Sequence, residues 1–180
     1  MAKAKKRRAA PKDAIALLKA DHRQVETWFK QFEKAGAKRK LELATNICNA
    51  LVVHTTIEEE IFYPAFLDAT EDKDLHHEAE IEHDGAKKLI AEIEASGPED
   101  DYYDARVKVL SEMIKHHVKE EEQPGGMFAE ARKSEMDLVG LGAEMAARKG
   151  ELEAQGPRAK PAAHKRANAI ISRIASVATR

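Results

Sequence analysis

The sequence contains very little cysteine, few aromatic residues and no long apolar run. Cys48 is the single cysteine among 180 residues, which excludes an intrachain disulfide framework and a multi-cysteine zinc site. Aromatic residues make up only 5% of the chain, and Ala, Leu, Glu and Lys dominate, so we expect a helical protein rather than a β-sandwich or barrel. No apolar run approaches the ~20 residues that cross a bilayer. The apolar stretch from Ala14 to Leu18 is too short for a signal-peptide core, so we expect a cytoplasmic protein without membrane contact.

Positive charge is concentrated at the two ends of the chain. Residues 1–12 carry six Lys or Arg and no acid, and so do residues 156–180, which leaves a net charge of −14 on residues 13–155. We interpret this as a disordered basic N-terminal tail, an acidic folded body and a basic C-terminal tail. Such tails can contact nucleic acid, but neither has the interleaved aromatics of single-strand binders, and solvated tails are favoured. The C-terminal tail has a second feature, a set of apolar residues at helical spacing that is compatible with a short amphipathic helix: Ile170, Ile171, Ile174 and Val177.

Turn signals divide the middle of the chain into long segments in which apolar residues recur every three or four positions. This spacing predicts helices over residues 13–34, 38–69, 75–96, 98–122 and 133–153. Because the first four are joined by short loops, we expect an all-α fold with an antiparallel up-down four-helix bundle over residues 13–123. A loop and an appended helix follow over residues 124–155. Pro64 is expected to bend the second helix.

Polar residues interrupt the apolar stripes of all four bundle helices. They are His22 in the first, His54 and Glu58 in the second, His83 in the third, and His117 and Glu121 in the fourth. Steps of about 100° per residue place His117 and Glu121, rather than His116 and Glu120, at the centre of the buried face. A rise of about 1.5 Å per residue then brings all six polar residues into the same half of the bundle.

The two inward glutamates indicate a bound cation. A buried, unpaired carboxylate costs several kcal/mol, and Glu58 and Glu121 each lie one turn after an inward histidine. Four imidazoles and two carboxylates are too many ligands for one tetrahedral zinc ion and too rich in nitrogen for calcium or magnesium. Two non-haem iron ions bridged by Glu58 and Glu121 suit the ligand count, and dimanganese is the alternative. The other members of the runs 58–60 and 120–122 are expected to be solvated.

The segments that carry these residues resemble the hemerythrin-like HHE cation-binding proteins of bacteria. The resemblance covers roughly residues 13–153 and rests on Asp21-His22, His54-Thr55-Thr56-Ile57-Glu58-Glu59-Glu60, Ile61-Phe62-Tyr63-Pro64, Glu82-His83 and His117-Val118-Lys119-Glu120-Glu121-Glu122. It implies a hemerythrin-like bundle in which His22 and His54 bind one iron and His83 and His117 bind the other. Glu58 and Glu121 would bridge the two ions.

Some positions depart from the oxygen-carrying hemerythrins, which have His-x-x-x-His on the third helix. Lys87 stands at the second of these positions, so the resemblance implies a missing ligand and a more open second iron. Lys87 either extends its amine to solvent, which is favoured, or binds water or an anion at the opening. Glu80 is an alternative ligand, and Tyr63 either packs structurally or donates a hydrogen bond to a bound oxygen species. The sequence Gln123–Gly126 interrupts the fourth helix after Glu121, which suggests a frayed helix end or a mobile flap.

Three functions are compatible with such a site. The leading hypothesis is a protein that binds dioxygen or senses oxygen or iron. The second is an enzyme that acts on hydrogen peroxide, as catalases do, or on nitric oxide, because an exchangeable metal position allows turnover. The third is a structural or DNA-associated stress protein, in which the site holds the bundle together and the basic tails make contacts. Iron storage is a further alternative.

Overall fold

The computed structural model describes residues 13–156, so both expected basic tails lie outside the described residues, apart from Gly156. All regular secondary structure in this range is helical, which confirms the all-α prediction. The elements are α1 (Ala14–Phe32), α2 (Ala37–Ile57), a π-helical turn (Glu58–Phe62), α3 (Tyr63–Thr70), α4 (Lys73–Glu94), α5 (Tyr103–Glu122), α6 (Met127–Lys133) and α7 (Leu138–Ala154). Within the described range, no helix is both long enough and apolar enough to cross a membrane.

Aspartate side chains begin three of the helices. Asp13, Asp72 and Asp137 accept hydrogen bonds from backbone N–H groups three residues later, at 2.7, 3.1 and 2.9 Å. These bonds satisfy donors that have no partner within the first helical turn. They therefore fix the starts of α1, α4 and α7. The last bundle helix, α5, starts five residues later than predicted near residue 98, because turns occupy residues 98–102.

Four antiparallel helical segments form the bundle, and α7 packs outside it against α1 and α2. The segments are α1, α2 with its continuation into α3, α4, and α5. The appended helix was predicted over residues 133–153 and is observed as Leu138–Ala154. The short helix α6 was not predicted. Its apolar residues Met127, Phe128 and Ala131 are buried against the bundle.

The second bundle helix is not the uninterrupted α-helix expected over residues 38–69. In the π-helical turn, the Tyr63 N–H donates to the carbonyl of Glu58, five residues earlier. Pro64 follows directly and has no N–H, so it cannot make the hydrogen bond to Glu60 that a regular α-helix requires. The π-helical turn accommodates the absence of this hydrogen bond. Such turns are frequent at functional sites, and Glu58 is the first residue of this one.

Two apolar clusters fill the interior, and a polar layer lies between them. The larger cluster includes Phe29, Ile47 and Leu110, and the smaller one, next to α6 and α7, includes Phe62 and Met145. Along α1 the chain passes from Leu18 in the smaller cluster to Val25 in the larger one, with His22 between them. The same order recurs on α4 around His83. The six polar residues therefore occupy the boundary between the two clusters.

The turn after α5 is compact and holds the end of that helix. Gln123 has an extended backbone, as expected for the residue before Pro124. A Cβ at Gly126 would lie 2.1 Å from the carbonyl oxygen of Glu120 and 3.0 Å from that of Glu121, so only glycine allows this close approach. Glu121 is only 2% exposed. The structure thus shows a packed turn where a frayed helix end or a mobile flap was expected.

Candidate metal centre

The six polar residues meet at one level of the bundle and are all buried. Their candidate ligand atoms form two groups, within which the atoms lie less than 4.8 Å apart: His22, His54, Glu58 and Glu121 in the first, and Glu58, His83 and His117 in the second. The neighbouring side chains of His116 and Glu120 are 60% and 27% exposed. The structure therefore brings together the six residues that the apolar stripes single out.

The four imidazoles form two pairs. Nε2 of His22 lies 3.1 Å from Nε2 of His54, and Nε2 of His83 lies 3.2 Å from Nε2 of His117. Each ring therefore directs Nε2 towards the centre of the bundle and Nδ1 outwards. Two facing nitrogens in each pair can supply lone pairs to one shared cation.

Each inward carboxylate lies between the two histidine pairs. Oε2 of Glu58 is 3.1 Å from Nε2 of His54 and 3.4 Å from Nε2 of His83. Oε2 of Glu121 is 3.3 Å from Nε2 of His22 and 3.6 Å from Nε2 of His117. Both carboxylates thus contact one ring of each pair, which is the position of a bridging ligand.

These carboxylates are buried without adequate hydrogen bonds. Both oxygens of Glu58 and Oε2 of Glu121 have no hydrogen-bond partner among the described residues, since the nearby histidine contacts lack hydrogen-bond geometry. A buried anion in this situation requires a proton or a cation. Imidazole nitrogens combined with carboxylate oxygens suit first-row transition metals. The residues therefore fit a metal site.

In the metal-free protein, protons take the place of cations. Burial, together with the charge of Glu121, raises the pKa of Glu58 well above its usual range. Burial opposes the charge of His22, but the adjacent Glu121 carboxylate and the hydrogen bond to Glu122 outweigh it and raise the pKa of His22 to about 9. Burial lowers the pKa of His54 to about 4. Protons on His22 and Glu58 must therefore leave when a metal ion binds.

Each inward histidine has a carboxylate beside its outer nitrogen. Nδ1 of His22 donates to Glu122 at 2.8 Å, Nδ1 of His83 donates to Glu59 at 2.8 Å, and Nδ1 of His117 donates to Glu82 at 2.7 Å. Nδ1 of His54 is farther from its neighbouring carboxylate, at 3.7 Å from Asp21. A carboxylate on Nδ1 fixes the ring and leaves Nε2 free for a metal ion. The prediction that Glu59 and Glu122 are solvated is therefore wrong.

Lysine side chains in turn donate hydrogen bonds to two of these carboxylates. Lys87 Nζ donates to both oxygens of Glu59, at 2.6 and 2.7 Å. The Lys87 side chain is 39% exposed, as the favoured solvent-directed role requires, and its amine also holds the carboxylate that orients His83. Lys149 of α7 donates to Asp21 in the same way. The appended helix therefore contributes to the support of the site.

Two further predictions concerned Glu80 and Tyr63. Glu80 is 53% exposed and lies 3.7 Å from His76, outside the cluster, so it is not an alternative ligand. Tyr63 is buried, and its hydroxyl lies 3.1 Å from Nε2 of His83 and 3.5 Å from Glu121. Burial raises the pKa of Tyr63 well above its usual range, so the hydroxyl keeps its proton. The side chain thus packs in the core and also presents a donor to the site.

The space around the site is small and apolar. The Phe128 ring of α6 stacks on His22, with ring centroids 5.9 Å apart, and covers that side. This contact was missed because α6 itself was not predicted. On the other side a void of about 10 Å³ has four aliphatic residues in its lining: Val25, Leu51, Ile114 and Val118. A void of this size holds about one water molecule.

Comparison with known proteins agrees with the helical-bundle fold. The family model described as hemerythrin HHE cation binding domain matches residues 13–124. The crystal structure of a hemerythrin HHE cation-binding domain-containing protein from Mycobacterium kansasii has a similar fold, with a TM-score of 0.66, 21% identity, and coverage of 79% of this chain and 88% of that chain. A protein of Nostoc sp. named DNA nickase is 27% identical over 120 residues, which is 64% of this chain but only 32% of that protein's length. Since the family model covers more than half of the sequence, the chain belongs to the hemerythrin HHE cation-binding domain family.

Proposed function

We propose that the buried cluster binds two non-haem iron ions and that the iron pair binds dioxygen. The ligands would be His22 and His54 on one ion, His83 and His117 on the other, and Glu58 and Glu121 between them. The observation that carries this proposal is the position of the two carboxylates. Each faces one ring of each histidine pair and has at least one buried oxygen without a hydrogen-bond partner.

The donor atoms support iron or manganese rather than zinc, calcium or magnesium. An iron pair, when bound, supplies electrons and exchangeable coordination positions for a small ligand. Dimanganese would use the same donors. Elemental analysis of the purified protein distinguishes the two, and we expect two iron ions per chain.

The second group of ligands supports a ligand-accessible position. It comprises Glu58, His83 and His117, and Glu121 lies less close to it, with Oε2 3.6 Å from Nε2 of His117 but 3.3 Å from Nε2 of His22. By the family resemblance, Lys87 also stands where the oxygen carriers have a further histidine. Tyr63 lies on this side, with its protonated hydroxyl 3.1 Å from Nε2 of His83. A small oxygen species bound there would therefore receive a hydrogen bond from Tyr63.

The dimensions of the site favour small ligands. The void beside the histidines has about 10 Å³ available, and aliphatic side chains form much of its wall. Dioxygen, hydrogen peroxide and nitric oxide are of suitable size, whereas a larger substrate would require side chains to move. The same aliphatic wall limits the delivery of protons and water to a bound ligand.

Anaerobic reduction followed by exposure to air tests the proposal. We expect an absorption band of an oxygen adduct that persists in the native protein, is absent from His22→Ala and Glu58→Ala, and decays faster in Tyr63→Phe. An iron-loaded protein that is oxidised without any such band would contradict dioxygen binding.

Turnover of hydrogen peroxide or nitric oxide is the alternative that the open second group supports. It predicts rapid oxygen evolution from peroxide, or consumption of nitric oxide, that is lost in His22→Ala and Glu58→Ala. If the protein holds iron but shows neither an oxygen adduct nor turnover, the remaining functions are iron sensing or storage.

DNA contact is a second candidate function, supported by the Nostoc protein named DNA nickase and by the basic residues at both ends of this chain. It predicts salt-sensitive binding to plasmid DNA that disappears when residues 1–12 and 156–180 are deleted. Conversion of supercoiled plasmid to the open circle would show whether binding leads to strand cleavage. Binding that is unaffected by the deletions would argue against a role of the basic ends.

A further inference from the structure

Helix α7 packs against both α1 and α2 and ends at Ala154, but the groove between α1 and α2 continues beyond its end. We call this continuation the α1–α2 groove. It has a volume of about 550 Å³. The residues that line it include Trp28, Asn49, Ala50, Val52, Val53 and Leu152. Polar residues also line the groove, but apolar atoms make up most of its exposed wall; the polar residues are Asn46, Asn49, Thr56, Glu153 and Gln155.

The apolar residues of the groove are incompletely buried. Trp28, Ala50 and Val52 pack on the larger apolar cluster with one side and are only partly buried. Trp28 is the single tryptophan of the chain. An additional apolar element would complete the burial of these side chains.

We propose that the α1–α2 groove is the docking site of the apolar end of the chain's own C-terminal segment, residues 170–177. Gly156, the last described residue, itself lines the groove. The chain therefore continues from a point within the site. Gly156 has φ of +76°, a left-handed conformation that often ends helices and redirects the chain.

The length of the segment fits the groove. The thirteen residues 157–169 can span up to about 40 Å, so the following apolar positions can return to any part of it. The groove extends along α2 from Asn46 to Thr56, a distance of about 15 Å. In helical form, Ile170 to Val177 covers about 10 Å.

The chemistry of the segment also fits. At about 100° per residue, Ile170, Ile174 and Val177 fall within a sector of about 60°, and Ser172 and Ser176 lie on the opposite side. The apolar sector would cover Trp28 and its neighbours. The basic residues of the segment would then face a body of net charge −14.

The same chain is a better occupant of the groove than a second copy. A segment tethered next to its site has an effective concentration in the millimolar range, which a separate molecule at micromolar concentration does not reach. The proposal therefore predicts that docking is independent of protein concentration.

The fluorescence of Trp28 in the full-length protein tests the proposal. We expect the double variant Ile170→Asp/Ile174→Asp to shift the emission maximum of Trp28 to longer wavelength and to increase quenching by acrylamide. The control Ser172→Asp/Ser176→Asp adds the same charge on the opposite side and should leave both quantities unchanged. All proteins are compared with the same metal content and over the same dilution series.

A groove variant provides a second readout that does not involve Trp28. Val53→Lys places a cation in the groove and should accelerate trypsin cleavage after Arg166 and Arg173. Unchanged fluorescence in the isoleucine variant, or unchanged cleavage in Val53→Lys, would overturn the proposal. So would a wild-type emission that shifts on dilution, because this outcome would identify a second copy as the occupant.

Discussion

Replacing Glu58 with glutamine separates a metal ligand from an ordinary buried residue. Glu58 is fully buried, and burial with the charge of Glu121 raises its pKa well above the usual range, which favours the protonated acid in the metal-free protein. Glutamine has nearly the same shape as the protonated acid. We therefore expect Glu58→Gln to change the free energy of unfolding of the metal-free protein by less than about 1.5 kcal/mol.

The metal-loaded protein should respond differently, because the variant loses an anionic ligand that contacts both histidine pairs. Metal at 100 times its dissociation constant stabilises the native protein by about 2.7 kcal/mol. For a chain of this size, this corresponds to an increase of roughly 5–11 °C in Tm. A hundredfold weaker affinity reduces the increment to about 0.4 kcal/mol, or roughly 1 °C.

Thermal unfolding with and without metal measures both quantities. The matched control is Glu60→Gln, since Glu60 lies in the same π-helical turn but faces solvent and pairs with Arg148. This control should retain the full metal-dependent increase in Tm. Equal destabilisation of the metal-free and metal-loaded forms by Glu58→Gln would refute the reasoning, because it would indicate a purely structural role.

Four further predictions concern the site, its supporting carboxylates and the packing of α7. Glu82→Gln replaces the charged acceptor beside the proposed ligand His117 with a neutral amide and should weaken metal affinity 10–100-fold in a competition titration, whereas exposed Glu80→Gln should have no effect. The pKa of His22 is raised from 6.5 to about 9, so protonated His22 contributes up to roughly 3 kcal/mol to the unfolding free energy of the chelated protein. This contribution is complete below pH 6.5 and is lost as the pH rises through 9. Denaturant titrations at several pH values measure the loss. Metal affinity should rise over the same interval, because the His22 proton no longer competes, and an affinity independent of pH would contradict this. Gly142→Ala should destabilise the protein by about 1–3 kcal/mol, because its Cβ would lie 2.6 Å from a backbone nitrogen of α1, whereas Gly150→Ala in open space should stabilise it by up to about 1 kcal/mol in the same assay.

The inner residues of the site were accessible to sequence reasoning because a helix has a fixed period. An inward position can be calculated from the neighbouring apolar residues, as the choice of His117 and Glu121 over His116 and Glu120 illustrates. The common level along the bundle follows from the constant rise per residue. Both quantities are local properties of one helix.

The outer carboxylates depend on how neighbouring helices are rotated and offset, which the sequence of one helix does not contain. Glu59 reaches the ring of His83 across the α2–α4 contact, and Glu82 reaches His117 from α4 to α5. Both carboxylates have the composition of a solvated face. Glu82 directly precedes His83 in the sequence, but in the structure its partner is His117 on the next helix.

The segment around α6 was missed for another reason. Gln123–Gly126 has the composition of a loop, and only seven residues of helix follow it. A helix this short depends on tertiary packing rather than on intrinsic propensity. Met127 and Phe128 provide that packing, and Phe128 reaches the site by stacking on His22.

Elemental analysis of protein purified without chelators, together with Glu58→Gln and Glu60→Gln purified in the same way, tests the central claim most directly. We predict two iron ions per chain in the native protein and in Glu60→Gln, and a marked loss of iron in Glu58→Gln. A native protein that contains less than one transition-metal ion per chain, or that keeps both ions in Glu58→Gln, would contradict a metal pair held between the two buried glutamates.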